Sequence, residues 1–426
     1  MDRTIRKELQ PGVLLTIVST DKFKTSCIGV NFLCGLNMEK ASFLAMIPSV
    51  LLRGCEKYED MRKLNRELDS LYGARIEPYI RKKGETECVG FVADAIEDRF
   101  VGEDGILKRT VGLISDIIFS PLMENGAFRK DYVESEKENL IDKINARIND
   151  KRFYAVKRLW EIMCEDEAFG ISELGDEESV RNITAESLTL EYRKMIEECG
   201  LSLFYCGGED PDKVEEIFKG AFSNAGKKKM RLFEETLPKM PEEVKNAEEV
   251  LNISQAKLAM GFRTGTTIRD KDYPALMVMN AIFGAGTTSK LFINVRERLS
   301  LCYYASSSIE SVKGIMTVSS GIDARNFDAA KNEILSQLDE IKKGNISEEE
   351  WDAAIKTLSG AVRSIQDSQY RLEDFWLLRT VAKEGDGPED LLEKIQKVQK
   401  ADVMKAAERL ALDTIYFLKG AEEAAQ

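Results

Sequence analysis

The sequence predicts an α+β protein of two homologous lobes, each a mostly antiparallel sheet packed with helices on one side. Three observations predict this fold class. The composition is that of a folded, water-soluble protein, and segments typical of strands and helices follow each other in a definite order. That order restarts after about 230 residues, a spacing that fits whole domains rather than short repeats. We therefore interpret the two halves as products of duplication.

Composition and charge exclude several classes of protein. Of the 426 residues, 43% are apolar and 32% are charged, which is typical of soluble globular chains. The net charge of -13 argues against a nucleic-acid partner. We expect no membrane association, because the N-terminus lacks the features of a signal peptide and no apolar run could span a bilayer. The eight cysteines are scattered without a disulfide-like framework, so we predict a cytoplasmic protein.

The chain contains no histidine, and this limits its chemistry most. Histidine is the commonest general base, a member of the Ser-His-Asp and Cys-His arrangements, and a ligand of catalytic zinc. Any catalytic role must therefore be met by other residues or by another chain.

The first half contains alternating strand and helix patterns. Strands are predicted where β-forming residues are bounded by turn residues, and helices where apolar residues recur every three to four positions. The predicted longest helix of this half has neither Pro nor Gly. The strands cover 13–20, 26–35, 74–83, 86–96 and 201–208, and the helices cover 40–54, 58–73, 103–120, 129–166, 184–196 and 210–222.

The second half repeats this order after a segment of different composition. Residues 225–248 hold two prolines and dense mixed charge, so we predict a linker there. The domains are then 1–224, the linker 225–248, and 249–426. In the second half, strands are predicted at 249–264, 302–310, 314–322 and 414–420, and helices at 272–286, 287–300, 326–344 and 347–384.

Residues 272–308, "DYPALMVMNAIFGAGTTSKLFINVRERLSLCYYASSS", carry a specific pattern. A helix ends in a Gly-rich turn, a Ser-x-Leu-Phe step and an Arg-Glu-Arg helix end follow, and Leu-x-Tyr enters a strand. Here the chain resembles the pitrilysin or insulinase family of zinc metallopeptidases, which includes mitochondrial processing peptidase and its bacterial relatives. In the first half, "VLLRGC" (50–55) and "YGA" (72–74) are similar to the family's Met-Leu-Phe-Lys-Gly-Thr and Leu-Gly-Ala. The resemblance covers nearly the whole chain.

Active members of this family carry an inverted zinc motif, His-x-x-Glu-His, directly before the Met-Leu-Phe-Lys-Gly-Thr stretch. The resemblance puts Ala45 and Ser49 at the two His positions and Pro48 at the catalytic Glu. The family's third ligand is a Glu on a downstream helix, where this chain has Lys143. Those residue types do not bind Zn²⁺, so we expect no metal in this chain.

A register error at the third ligand position could restore one acidic ligand. The neighbouring carboxylates are interpreted as surface charges, and one carboxylate without the histidines would not make a zinc site. They are Glu134, Glu136, Glu138 and Asp142.

The family also implies a division of labour. Its peptidases contain four homologous lobes, in one long chain or in two half-size chains. In the two-chain forms one subunit carries the zinc ion. The other, metal-free subunit contributes an Arg and a Tyr that stand seven residues apart. Arg296 and Tyr303 stand seven residues apart at the matching place in "RERLSLCY". A guanidinium and a phenol can both donate hydrogen bonds to a peptide carbonyl, where negative charge develops during hydrolysis. Arg298 and Tyr304 are the alternatives if the register is shifted.

The resemblance therefore implies a non-catalytic subunit of a two-chain zinc metallopeptidase. It would bind extended peptide in a chamber and contribute Arg296 and Tyr303 to the active site of a homologous partner that bears the zinc. A stand-alone peptide-binding or scaffold protein of the same fold, with no proteolytic role, is the main alternative. A hydrolase with unconventional ligands is the third. In isolation the chain could form a homodimer.

Overall fold

The computed structural model describes residues 3–225 and 240–421, and the chain forms two compact units. The predicted linker lies mostly outside the described residues, and its end at 245–248 belongs to a strand. Each unit combines one half of the sequence with a short segment from the other half. The first unit contains residues 3–145, 171–225 and 368–381, and the second contains residues 146–170, 240–367 and 382–421.

The first unit is a six-stranded sheet with helices. The predicted strands and helices occur close to their predicted positions, apart from the long helix discussed below, whereas the first strand and the short helix at 177–181 were not predicted. The strands are β1 (Arg3–Gln10), β2 (Val13–Ser19), β3 (Thr25–Gly35), β4 (Arg75–Lys83), β5 (Thr86–Ile96) and β8 (Gly200–Gly207), with the two-residue pair β6 (Met123–Glu124) and β7 (Ala127–Phe128) apart from them. The helices are α1 (Met38–Leu51), α2 (Met61–Ser70), α3 (Ile106–Phe119), α4 (Lys130–Ala146), α6 (Glu177–Arg181), α7 (Ala185–Glu198) and α8 (Pro211–Ala221).

The second unit is a five-stranded sheet with helices. The one strand predicted at 249–264 is two strands separated by a turn. The strands are β9 (Lys245–Leu251), β10 (Ala256–Arg263), β11 (Cys302–Glu310), β12 (Ile315–Ile322) and β13 (Ala411–Gly420). The helices are α5 (Lys151–Met163), α9 (Tyr273–Phe283), the π-helix (Leu291–Arg298), α10 (Phe327–Lys342), α11 (Glu348–Ile365), α13 (Pro388–Gln396) and α14 (Lys400–Glu408).

Strand order shows that the two units share one topology. The strand order of the first sheet is β1-β2-β8-β3-β5-β4, and that of the second sheet is β9-β13-β10-β12-β11. When β1 is set aside, β2, β8, β3, β5 and β4 correspond in turn to β9, β13, β10, β12 and β11. The pair β2 and β8 is parallel, as is β9 and β13, and the remaining ladders are antiparallel. The predicted α+β fold of two duplicated lobes is confirmed.

One helix is exchanged in each direction. The helix predicted at 129–166 is broken at 147–150, and its second part, α5, packs on the second sheet. The helix predicted at 347–384 is broken at 366–368, and its second part, α12 (Gln369–Ala382), packs on the first sheet. The two long-helix predictions were therefore wrong. Capping explains the first break, because Asp150 accepts a hydrogen bond from the Phe153 amide at 3.0 Å.

A buried ionic cluster holds α12 on the first sheet. Glu373, which is 2% exposed, accepts two hydrogen bonds of 2.7 Å from Arg81 on β4. Asn31 and the Tyr79 hydroxyl donate to the same carboxylate at 3.0 and 2.9 Å, and burial raises the pKa of Tyr79. A Cβ at Gly29 would lie 2.9 Å from the Glu373 carboxylate, so the strand can approach the helix only with glycine there.

A similar cluster holds α5 on the second sheet. Arg263, on β10, donates to Asp413 and to Glu167, each at 2.7 Å, and to the Met163 carbonyl at 2.9 Å. Lys313 pairs with Glu167 at 2.7 Å. Both exchanged helices thus lie against a sheet face through an Arg and a buried carboxylate, Glu373 in the first unit and Asp413 in the second. Among the described residues, no helix is both long and apolar enough to cross a membrane.

Candidate functional site

The helix with the degenerate zinc motif, α1, is buried around most of its circumference. Asn37 caps it by accepting a hydrogen bond from the Glu39 amide at 2.8 Å. Ala45 belongs to the apolar core of the first unit, Pro48 is buried, and Ser49 is partly exposed. The motif positions are therefore packed as part of a core helix.

Pro48 does not end the helix at once. Proline has no amide to bond to the carbonyl four residues earlier, which weakens a helix interior. The helix nevertheless continues to Leu51, and the Leu52 amide donates to the Pro48 carbonyl at 3.1 Å. It ends at Leu51 rather than at Gly54, the predicted end.

Lys143 is exposed on α4, as are three of the four carboxylates that were predicted to be surface charges. That prediction was wrong for Glu136, whose side chain is 9% exposed. Arg53, just beyond α1, donates to Glu136 at 2.6 Å and to the Ser135 hydroxyl at 3.0 Å. This ion pair connects the end of the motif helix to the helix that carries the third ligand position.

The four motif positions do not fit a zinc ion. Ala45 and Pro48 have no side-chain donor atom, Ser49 offers only a hydroxyl, and the Lys143 ammonium would repel a cation. Within residues 3–225 and 240–421, no three metal-ligating side chains lie close enough to hold one ion. The donor set at these positions therefore does not match that of a zinc site.

Arg296 lies in the π-helix, where an ordinary helix was predicted. The Leu299 amide donates to the Asn294 carbonyl, five residues earlier, at 3.2 Å, which is the bonding pattern of a π-turn. Such turns are rare and frequently mark functional sites. The Arg296 guanidinium is 39% exposed, lies 4.6 Å from the centre of the Phe292 ring, and has the Glu297 carboxylate at 3.6 Å.

Tyr303 is the extra residue of a β-bulge at the start of β11. Cys302 pairs with Ile322 and Tyr304 pairs with Gly321, so Tyr303 has no counterpart on β12. The Tyr303 side chain is 69% exposed, and its hydroxyl has no hydrogen-bond partner in the part of the chain that the structure describes. Bulges redirect side chains, and this one leaves a phenol hydroxyl free for a ligand.

Arg296 and Tyr303 flank one turn. Ser300, between them, has a positive φ of 50°. Burial raises the pKa of the Cys302 thiol, and the Ser320 hydroxyl and the Arg296 guanidinium oppose this rise, so the Arg296 charge acts at the residue next to Tyr303. The two side chains make no direct hydrogen bond among the described contacts, and each presents donors to solvent.

The alternative pair is engaged in contacts within the unit. Arg298 has the Glu333 carboxylate at 3.8 Å. Tyr304 packs beneath the Arg152 guanidinium, 4.2 Å from its ring centre, and its hydroxyl is 3.4 Å from that of Ser319. Burial raises the pKa of Tyr304. These contacts favour Tyr303 over Tyr304 as the residue that is free to bind a ligand.

A buried glutamine behind the π-helix was missed by sequence reasoning. Gln337 on α10 is 6% exposed; it accepts a hydrogen bond from Asn294 at 2.7 Å and donates one to Glu333 at 2.7 Å. Asn294 and Arg298, the two π-helix residues that this network contacts, lie on either side of Arg296. The signal available in the sequence was a polar residue within the apolar stripe of α10.

Comparisons with known proteins agree with this architecture. A family model described as "Peptidase M16 inactive domain" matches residues 182–358. The chain is 36% identical over 423 residues to the "Probable inactive metalloprotease YmfF" of Bacillus subtilis, and the match covers 98% of each chain. A solved structure of a conserved protein from Enterococcus faecalis is 28% identical, with a TM-score of 0.90 and 98% of each chain covered.

A peptidase M16 inactive domain from Pseudomonas fluorescens has the same fold at 15% identity, with a TM-score of 0.79 and 98% of each chain covered. The match to the Bacillus subtilis relative extends over nearly the full length of both chains, so the matched region includes α1 and the turn between Arg296 and Tyr303. The chain belongs to the M16 family of peptidases, the family of pitrilysin and insulinase.

Proposed function

We propose that this chain is the metal-free, non-catalytic subunit of a two-chain zinc metallopeptidase. It binds extended peptide, and its Arg296 and Tyr303 contact that peptide beside the zinc held by a homologous partner. The partner carries the His-x-x-Glu-His motif that this chain lacks.

The free hydroxyl of Tyr303 is the observation that carries this proposal. A tyrosine that serves only to stabilise the fold normally buries its ring or satisfies its hydroxyl. Tyr303 does neither, and a bulge and a π-helix shape the segment around it. Local irregularities of this kind persist where function requires them.

The first unit supports the non-catalytic part of the proposal. Zinc binding needs ligands such as imidazole, thiolate or carboxylate, and the motif positions offer a methyl, a pyrrolidine ring, a hydroxyl and an ammonium. The relatives described as inactive point in the same direction.

The edge strand β11 supports binding of an extended peptide. Edge strands often carry charges or proline that prevent pairing with other chains. The edge strands β1 and β9 are rich in charge, and β4 contains Pro78 with four basic residues. In contrast, β11 has no charged residue before Glu310.

The outer side of β11 is partly covered near Tyr303. The Ser307 amide donates to the Gly284 carbonyl at 3.0 Å, outside the sheet. Ala305, two residues earlier, presents its amide to the same side and is only 5% exposed. On this strand the exposed groups that a peptide can reach are therefore side chains, above all that of Tyr303.

Metal analysis with co-purification tests the proposal. The purified chain should contain substoichiometric zinc and cleave no peptide. Co-expression with a homologue from the same source that carries His-x-x-Glu-His should give a stable mixed dimer. A homodimer with no affinity for that homologue would contradict the proposal, and stoichiometric zinc in this chain alone would favour a hydrolase with unconventional ligands.

A stand-alone peptide-binding or scaffold protein is the second candidate, favoured by the same uncharged edge strand β11. It differs in one measurable respect, because such a protein would bind an unstructured peptide without the homologue. Fluorescence anisotropy of a labelled peptide, with each chain alone and with both, distinguishes the two functions.

A further inference from the structure

Two pairs of cysteines lie across the ladder of β3 and β8 in the first unit. Cys27 is opposite Cys206 in the register of these strands. Leu33 is opposite Gly200 at the end of the ladder, and Cys34 and Cys199 are the next residues beyond that pair. Cys199 lies between α7 and β8 and has an extended backbone, with φ -80° and ψ 138°.

The pair of Cys34 and Cys199 lies just beyond the end of the ladder of β3 and β8. The Cys199 amide donates to the Met195 carbonyl at 3.1 Å, so it completes the end of α7 and is not used by the sheet. The neighbouring pair, Leu33 and Gly200, is the last of the ladder. Opposite residues of an antiparallel ladder have Cα atoms about 4.5–5.5 Å apart, which is within the range that a disulfide spans.

The two thiols interact in the structure. Burial and a hydrogen bond with the Cys199 side chain raise the pKa of Cys34. Cys34 is 3% exposed, whereas Cys199 is partly exposed to solvent. The pair therefore has one thiol that a solute can reach and one that is held directly beside it.

The second pair has a comparable spacing but differs in exposure. Cys27 and Cys206 lie opposite each other within the same ladder, where Cα atoms are about 5.5 Å apart, which is also within the range that a disulfide spans. Both are fully buried. Helix α12 covers them, since the Gln369 side-chain amide donates to the Cys206 carbonyl at 2.8 Å and to the Thr25 carbonyl at 2.7 Å. They form an internal control for the first pair.

We propose that Cys34 and Cys199 are a reversible oxidation site that takes low-molecular-weight disulfides such as oxidised glutathione. The deprotonated Cys199 attacks one sulfur of glutathione disulfide, which forms a mixed disulfide and releases one glutathione thiolate. Cys34 then attacks the Cys199 sulfur, its proton passes to the departing thiolate, and a second glutathione leaves. Two protein thiols are oxidised and one glutathione disulfide is reduced to two glutathione molecules.

The bond would fix the junction next to the degenerate zinc helix. Cys34 lies just before α1, and Cys199 lies at the end of α7. These two helices already share an ion pair, with Lys40 and Glu191 3.3 Å apart. Oxidation therefore restrains the segment before α1 and the segment after α7. This effect does not depend on a peptidase partner.

Thiol counting with peptide mapping tests the proposal on the full chain. The reduced protein, with eight cysteines, is incubated with glutathione disulfide and then alkylated under denaturing conditions. We expect two thiols to be lost, a cross-linked peptide pair joining Cys34 to Cys199, and full recovery with dithiothreitol. The midpoint of thermal unfolding should rise on oxidation and return on reduction.

Matched variants decide the assignment. Cys199→Ser should abolish the cross-link, as should Cys34→Ala, whereas Cys27→Ala should leave it intact. If Cys34→Ala does not fold, Cys199→Ser alone is sufficient, since its side chain is partly exposed. The proposal would be overturned by eight thiols remaining free, by a mixed disulfide that stays on Cys199, or by a cross-link between another pair.

Discussion

The two units have the same topology but differ in the segment that joins their second helix to the following strand. In the first unit, α2 is an ordinary helix and β4 pairs with β5 without a shift in register. In the second unit, a π-helix replaces α2, and β11 shifts its register against β12 at Tyr303. Tyr72 and Ser300, at the helix-to-strand turns, both have positive φ, 59° and 50°.

This comparison separates what the fold requires from what it does not. The left-handed turn occurs in both units, so it belongs to the duplicated fold. The π-turn and the bulge occur in one unit and flank Arg296 and Tyr303. The first unit has no zinc ligands at the positions that the resemblance indicates and is regular at this segment, while the second unit has an irregular segment that presents two hydrogen-bond donors.

The largest effect is expected from the ionic clusters that hold the exchanged helices. Arg263→Met leaves Asp413, 5% exposed, as a buried charge that has lost its cation and keeps the Thr414 hydroxyl as a donor. The free energy of unfolding should fall by about 3–5 kcal/mol, as measured by urea denaturation.

The equivalent change in the first unit should cost less. After Arg81→Met, Asp374 keeps Lys83 at 2.7 Å, and Asn31 and Tyr79 still donate to Glu373. An equal or larger loss for Arg81→Met would contradict this account of the two clusters. Lys331→Ala, at a pair with the highly exposed Asp328, is the control and should change stability little.

Removal of the Tyr303 hydroxyl tests whether the irregular segment contributes to activity. Tyr303→Phe should lower kcat/KM of the mixed pair by about 100-fold, the order expected when one donor to a developing oxyanion is lost. Tyr304→Phe, at the neighbouring position, should have little effect on kcat/KM. Equal losses for the two variants would sink the assignment.

A buried carboxyl in the first sheet distinguishes β5 from its counterpart β12, which has no charged residue. Glu87 is fully buried, neither of its oxygens has a hydrogen-bond partner within residues 3–225 and 240–421, and burial raises its pKa well above the usual value. Its folded-state pKa exceeds its unfolded one, so stability is fully present at acid pH and is lost as pH rises through the folded-state pKa.

The Glu87→Gln variant cannot ionise and should escape this loss. Its free energy of unfolding relative to the parent should be higher at pH 8 than at pH 4 by at least about 1 kcal/mol, since each pKa unit corresponds to about 1.4 kcal/mol. Urea denaturation at both pH values measures it. Parallel pH profiles for the two proteins would show that Glu87 does not titrate in this way.

The smallest effect is expected behind the π-helix. Gln337→Met keeps the side-chain volume but removes the hydrogen bonds to Asn294 and Glu333. Each such bond contributes about 1 kcal/mol to stability. Gln337 acts on Arg296 only by positioning the π-helix, so kcat/KM of the mixed pair should fall by less than it does for Tyr303→Phe. Amide hydrogen exchange at 294–301 should become faster even in the chain alone. The exposed Ser336→Ala serves as a control.

Most elements could be predicted from the sequence, although β1, α6, α13 and α14 were not, and the two wrong long helices have a common physical origin. Periodicity identified α4 with α5, and α11 with α12, as single long helices because no Pro or Gly stands at either break. Polar capping residues were the available signals, Asp150 before α5 and Ser368 before α12. The exchange of helices between units could not be predicted, because it depends on contacts between distant segments such as Arg81 and Glu373.

The candidate site was predictable as a set of positions but not as a geometry. The resemblance supplied Ala45, Pro48, Ser49 and Lys143, and it supplied Arg296 and Tyr303. Nothing in the helical period of "LFINVRER" distinguishes a π-helix from an α-helix, and a bulge arises from the pairing of two strands. The role of Glu136 was missed because its partner, Arg53, lies in the turn after α1, far from Glu136 in the sequence.

The most direct test of the account is a titration of the zinc-bearing homologue with this chain, with cleavage of an unstructured peptide as the readout. The account predicts little cleavage by either chain alone and a rate that rises until one equivalent of this chain has been added. Full activity of the homologue without this chain, unchanged by its addition, would contradict the account.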